Sequence, residues 1–312
     1  MNKSMRTAYG ETLVELGKTN KRIVVLDADL CKSTMGILFE NAYPDRFFEM
    51  GIAEADMASV AAGLSLTGKI PFFASFAVFV PGRCYDQIRT NICIPALNVK
   101  MCGSSAGLSD FGDGSTHQSI DDIALMRVLP NMQVFSPVDA AQTSQIVEYM
   151  AANEGPMYIR VNRNDVPILT PPEQEFVPGK VYTKREGGDV AIFATGIMVS
   201  IALEAADELA KSGLQAKVLN VPTIKPIDEA SVLSICEEVK AIVTVEEHSI
   251  YGGLGDAISA IVAPKLARRH VRVGMQDVFG ISAHNYPELL EHYGFTPKAI
   301  KRAAEEALGI SS

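Results

Sequence analysis

Residues Gly51–Ser75 read GIAEADMASVAAGLSLTGKIPFFAS. From Glu54 to Leu66 the residues are mostly small and apolar. Met57, Val60, Ala61 and Leu64 recur at helical spacing, and Gly68 follows close after the end, where a left-handed residue commonly stops a helix. The next run, Ile70–Ser75, is short, apolar and aromatic, as a strand buried on both faces is. A helix that feeds such a strand is half of a parallel crossover unit, so this stretch points to an α/β fold.

The same alternation extends outward from it. Further strands are expected at Ile23–Asp27, Asn98–Cys102, Met132–Phe135 and Met157–Val161, with a helix after the N-cap Asp139 running to about Asn153. Ahead of Ile23 the pattern assigns no element. Between Asp165 and Asp189, Pro167, Pro171, Pro172 and Pro178 fall without apolar periodicity and Gly187 and Gly188 follow, which reads as an interdomain linker. Strands then resume at Val190–Ala194, Ala216–Val221, Ala241–Val245 and Val271–Val273. Helices lie around Ile201–Lys211, from Asp228, over Asp256–Ala267, and near Leu289 and Ala303. The expected architecture is two doubly wound α/β domains with mostly parallel sheets, residues 1–165 and 189–312, joined by a linker over 166–188.

Composition narrows the function classes. A chain of 312 residues with 47% hydrophobic content can bury two cores of ordinary size. Its 28 basic and 37 acidic residues give a net charge of -9, which argues against nucleic acid or anionic lipid as a partner. Apolar runs are broken before they could span a bilayer and no N-terminal signal pattern appears, so a soluble, cytoplasmic protein without membrane association is expected. Five cysteines without a C-x-x-C pair indicate neither zinc nor a disulfide framework, and no metal site is expected in this chain.

Three segments could carry chemistry. Glu54 stands in the first turn of a helix, where a carboxylate alone would be explained by the helix dipole. Phe73, Phe76 and Phe79 follow at spacings of three. A continuous strand would put Phe73 and Phe76 on opposite faces, so a turn near Ser75 is expected, with the three rings lining one wall at the carboxyl end of a parallel strand. The loop Asp110–Gln118, DFGDGSTHQ, is too polar to build a core, and its Asp113 and His117 suit hydroxyl recognition and proton transfer. Its Gly-Asp-Gly is not the metal-diphosphate motif of thiamine enzymes, because no strand leads into it and the Asn-ending tail is missing.

In this order and spacing the three segments resemble the pyrimidine-binding domain of transketolase, the D-G-x-T-H-Q match being the specific part. Asn220–Asp228 (NVPTIKPID) and Thr244–Gly255 (TVEEHSIYGGLG) resemble the C-terminal domain of the same family. The resemblance covers nearly the whole chain and lacks the family's N-terminal domain, which carries the diphosphate and its metal. It therefore implies the small subunit of a split thiamine-diphosphate-dependent transketolase. A large subunit would hold the diphosphate with a Mg or Ca ion, in a two-plus-two heterotetramer, and the reaction would move a two-carbon ketol unit between a ketose and an aldose.

Carried over by motif, Glu54 matches the catalytic glutamate that shares its proton with the cofactor's aminopyrimidine, and Phe73, Phe76 and Phe79 match the aromatic positions around that ring. The third is commonly Tyr, so Phe79 lacks a hydroxyl. Asp29, Leu30 and Ile52 match positions near the cofactor, His117 a substrate-facing catalytic histidine, and Asp113 the aspartate that reads a sugar hydroxyl. Arg6, Ser33 and Arg163 match positions that hold the sugar's terminal phosphate, where the Arg fork fits a tetrahedral anion. Ser105 departs from the pattern by replacing a phosphate-contacting His, which opens the substrate to a sulfonate or to a branched or deoxy sugar phosphate. Gly252, Gly253 and Gly255 make a weak dinucleotide match, since Ile258 takes the place of the third Gly. His248 is read as structural, and the second domain as a subunit contact. Two neighbouring readings remain: a subunit of a related thiamine enzyme (deoxyxylulose-phosphate synthase-like, or the small subunit of a 2-oxo acid dehydrogenase), and a non-catalytic assembly subunit.

Overall fold

The computed structural model describes residues 2–310. Seven strands form the first sheet, in the order Thr223–Lys225, Gln133–Phe135, Met157–Arg160, Lys100–Ser104, Ile70–Phe76, Ile23–Asp27, Phe47–Glu49. All neighbours are parallel except Thr223–Lys225, which runs antiparallel to Gln133–Phe135. The second sheet orders Arg269–Met275, Ala241–Ser249, Val190–Ala194, Ala216–Asn220 and Tyr182–Arg185, with only the last strand antiparallel. Alternate residues of one strand enter different cores: Ile70, Phe72 and Ala74 pack on one side of the first sheet and Phe73 on the other. Both faces are thus covered, the arrangement that purely parallel strands require.

The Glu54–Leu66 helix forms with the expected bounds, but its buried stripe is Glu54, Met57, Ala58, Ala61 and Ala62. Val60 and Leu64 lie half-buried at its edge. Small side chains on the inner face let the helix approach the sheet closely, which a search for large apolar residues misjudges.

Among the elements that the sequence reading leaves unassigned, the edge strand Phe47–Glu49 included, three shape the fold most. A helix at Met5–Thr19 precedes the first expected strand. It contains Gly10, where a Cβ would stand 2.5 Å from the Met35 carbonyl oxygen, and Gly17, where one would meet the Tyr43 ring. Glycine here permits close packing rather than ending the helix. Within 166–188, Tyr182–Arg185 is an edge strand of the second sheet, and the backbone N–H groups of Leu169 and Thr170 donate to the Asp139 carboxylate at 2.6 Å. Finally, Thr223–Lys225 follows the second domain's Ala216–Asn220 strand yet extends the first domain's sheet, clipping the halves together. Among the described residues no helix is long and apolar enough to cross a membrane.

Candidate active site

The parallel strands end on a common side, and their ends and the segments that follow them carry most of the sequence-predicted residues, Arg6 of the Met5–Thr19 helix and Phe73 within its strand excepted. After Ile23–Asp27 the buried Asp27 carboxylate accepts from Leu30 N at 2.7 Å and from Thr34 Oγ1 at 2.6 Å, which fixes the turn bearing Asp29, Leu30 and Ser33. Burial pushes the Asp27 carboxyl up to about 7, opposed by those hydrogen bonds. Glu49 accepts from Asp29 N at 2.8 Å and Gly51 N at 2.9 Å, tying this turn to the loop that presents Ile52. Asp29 holds a left-handed φ of 60° and is exposed, Leu30 is partly buried, and Ile52 is 75% exposed although apolar.

Glu54 opens its helix with a side chain only 5% exposed, and pairs with Arg83 Nη1 at 2.5 Å. The Arg83 guanidinium also lies 3.9 Å over the Phe79 ring. Phe79 stacks on Phe76 at 5.9 Å between centroids, and His117 meets both rings edge-on at 5.4 Å and 6.1 Å. Thus Glu54, Phe76, Phe79 and His117 come together through short contacts. Phe73 does not join them. The strand continues to Phe76, one residue beyond Ser75, so pleating sends Phe73 to the other face, into the core with Leu26, Met57 and Ala61. The expected three-ring wall is a stacked pair.

This geometry fits the aminopyrimidine of thiamine diphosphate. Such a ring needs an acid and an aromatic face turned to one space, and Arg83, itself planar and a hydrogen-bond donor, engages both. Among the described residues no group of three His, Cys, Asp or Glu side chains could hold a metal.

A second cluster lies beside the aromatic pair. Arg163 stands 5.9 Å from the Phe76 ring centroid and pairs with the buried Asp110 at 2.5 Å. Arg6 donates from Nη1 to the Ser33 carbonyl at 2.6 Å. Burial and the neighbouring Arg163 charge lower its pKa, while Asp110 and Asp165 oppose them. The fold therefore brings Arg6, Ser33 and Arg163 into one neighbourhood. Ser105 is fully buried, at a left-handed φ of 55°, and among the described residues its Oγ has no hydrogen-bond partner. Asp113 is exposed on the loop, near the Asp110 carboxyl.

The second domain braces that loop. Gln118 Nε2 donates to Ile281 O at 2.9 Å, Ala283 N donates to Phe111 O at 2.9 Å, and a Cβ at Gly114 would collide with Ser282. His248 is fully buried, its Nδ1 2.7 Å from Ser249 O and its Nε2 accepting from Ala124 N, so both ring nitrogens are used structurally. Arg83, Asp27, Glu49 and Asp110 escaped the sequence reading. Asp110 alone had a local signal, a carboxylate inside a segment already singled out.

Residues 1–168 match the family model "Transketolase, pyrimidine binding domain", and residues 179–300 match "Transketolase, C-terminal domain". The chain is 44% identical over 308 residues to a protein of Methanocaldococcus jannaschii described as a transketolase C-terminal section, covering 97% of this chain and 96% of that one. It is 43% identical over 303 residues to the 6-deoxy-6-sulfo-D-fructose transketolase subunit SqwH of Clostridium sp. (strain MSTE9), covering 97% and 94%. Among solved structures, a split-gene transketolase crystallised as an inactive beta4 tetramer superposes with a TM-score of 0.89 at 47% identity, over 99% of both chains.

Proposed function

The chain belongs to the transketolase family, and from that premise we propose that it is the small subunit of a split transketolase, moving a two-carbon ketol unit from a ketose to an aldose. The observation that carries the reading is Glu54: a buried acid whose side-chain partner is a half-exposed arginine lying on an aromatic ring. A partner that solvent reaches can give way to a ligand without opening the core, because such ion pairs hold weakly.

In this reading Glu54 shares a proton with the aminopyrimidine nitrogen, and Phe76 and Phe79 orient the ring by apolar contact, Phe79 without the hydroxyl a Tyr would add. Phe73 supports the pocket from the core side. Leu30, Ile52 and Asp29 border the cofactor, and the exposed Ile52 awaits cover from the cofactor and the partner subunit. His117 moves a proton at the substrate, and Asp113, exposed in this chain, accepts from a sugar hydroxyl. Arg6, Ser33, Arg163 and Ser105 receive the terminal group. When bound, thiamine diphosphate supplies the nucleophilic carbon and the electron sink for breaking and making the C–C bond. Its diphosphate and a Mg or Ca ion belong to a large partner subunit, in a two-plus-two assembly in the cytoplasm.

Mixing the chain with its large subunit tests this. Ketol transfer dependent on thiamine diphosphate is expected only in the mixture, and Glu54→Gln should lower it at least about 100-fold, the scale of a lost general acid-base group. Pyruvate decarboxylation without ketol transfer would assign the chain to a different thiamine enzyme. Near-normal turnover by the Gln variant would remove Glu54 from the mechanism.

A further inference from the structure

Arg163 does not face its neighbourhood as a free cation. The Asp110 carboxylate, 4% exposed, holds one of its terminal nitrogens at 2.5 Å. Arg6, on which the charges of Arg163 and Asp110 both act, brings a second guanidinium to this pair.

The charges limit what that ligand can be. Arg6 and Arg163 contribute two positive charges, and the buried Asp110 removes one. Asp113 and Asp165 are exposed, so solvent and salt screen them more strongly. A phosphate ester is close to a dianion at neutral pH, whereas a sulfonate or a carboxylate carries one charge. A dianion placed here feels twice the attraction of the two guanidinium groups and twice the repulsion of Asp110, so the buried carboxylate cuts the advantage that two bare guanidinium groups would give it, and it meets an Arg163 fork already partly engaged.

Resting on the reading that Arg6, Ser33 and Arg163 receive the substrate's terminal group, we propose that Asp110 is a specificity-determining residue. It neutralises one guanidinium and so shifts the selectivity of the subsite toward a ketose ending in a singly charged anion and away from one ending in a phosphate dianion.

The test uses the complex with the large subunit and two donors of one carbon skeleton, fructose 6-phosphate and 6-deoxy-6-sulfofructose. The wild type sets the reference sulfonate-to-phosphate ratio of kcat/KM. Asp110→Asn, which keeps shape and an acceptor oxygen but loses the charge, should shift the sulfonate-to-phosphate ratio toward phosphate by about tenfold, the effect of roughly 1.4 kcal/mol. An unchanged ratio in a folded variant overturns the proposal, as does a shift toward the sulfonate. Should neither sugar turn over, the reading as a transketolase subunit fails separately. Calorimetric affinities of the same two sugars for wild type and for Asp110→Asn then read the subsite without catalysis; the tenfold shift is again expected, and its absence refutes the role of Asp110. If the Asn variant melts early, Asp110→Ser replaces it in both measurements with the same expected direction.

Discussion

Each domain buries a glutamate beside the start of a helix, and the two are treated in opposite ways. Glu246, on the Ala241–Ser249 strand, is 1% exposed, and its two oxygens accept from Leu254 N at 2.6 Å and Gly255 N at 2.8 Å, the first amides of the Leu254–Val262 helix. Even the glycine run around it serves this contact, since a Cβ at Gly253 would lie 1.9 Å from Glu246 Oε2. Glu54 is nearly as buried, yet among the described residues its hydrogen-bonding side-chain partner is the half-exposed Arg83, beside a stacked ring pair. Burial alone therefore does not single out a catalytic acid. What separates the two is whether the partner can be exchanged for a ligand without unfolding anything.

The sharpest way to break this contrast is to make the same conservative change at both sites. Glu54→Gln should cost at least about 100-fold in activity while leaving the melting temperature near that of the wild type. Glu246→Gln should do the reverse. Its amide sets an N–H donor against one of two buried backbone N–H groups, at a cost of about 2 kcal/mol, or about 5 °C in melting temperature. Activity per folded molecule should stay within about twofold of wild type, by the near-independence of well-separated sites. If Glu54→Gln destabilises as much as Glu246→Gln does, the two acids are alike and the distinction fails.

Much of this contrast was legible in the sequence where one signal was strong and local. Ile23–Asp27, Glu54–Leu66 and Val190–Ala194 form with the expected bounds, because each is a dense apolar or small-residue run between clear breaks. Asp139 caps its helix as expected, accepting from Gln142 N, and the helix expected from Asp228 has that residue as its cap, accepting from Ser231 N. The helix Met5–Thr19 was hidden by glycines whose purpose is contact with residues far along the chain. Thr223–Lys225 was hidden because three residues carry no periodicity and their pairing crosses between domains. At the site, the motif pointed to Glu54, Phe76, Phe79 and His117, which the fold brings together. Arg83 and Asp110 depend on side-chain pairing across 29 and 53 residues of sequence, and no motif specifies that.

A smaller effect is expected at Glu247, next to Glu246 but facing the other domain. Its Oε1 accepts from Leu108 N and from the Tyr286 hydroxyl, each at 2.7 Å, so one carboxyl joins the loop side of the first domain to the second. Burial pushes this carboxyl from 4.5 up to about 7. The folded state then holds a proton that the unfolded chain has released, and the resulting stability is full below pH 4.5 and lost as pH rises towards about 7. Asp27 titrates with the same sign, and Lys100, lowered by burial to about 7, with the opposite one, so the comparison must be with a variant. Between pH 6 and pH 8 the wild type should lose about 1 kcal/mol relative to Glu247→Gln. Denaturant midpoints at the two pH values measure it, and parallel curves would show that Glu247 does not titrate in this window.

The smallest change sharpens the comparison at its weak point, the partner of Glu54. Arg83 donates to the carboxylate and covers Phe79, so it stands where an aminopyrimidine would make the same two contacts. Cofactor binding must then break an ion pair whose cationic side chain is 49% exposed, and pairs of that kind are worth about 1 kcal/mol. Arg83→Met removes the competitor and keeps apolar cover over the ring. In the assembled enzyme it should lower the thiamine diphosphate concentration for half-maximal activity by about fivefold, with little change in melting temperature. An increase would mean that Arg83 helps to hold the cofactor rather than keeping its place. Glu54 would then depend on its arginine much as Glu246 depends on its amides, and an exchangeable partner could no longer be the property that tells them apart.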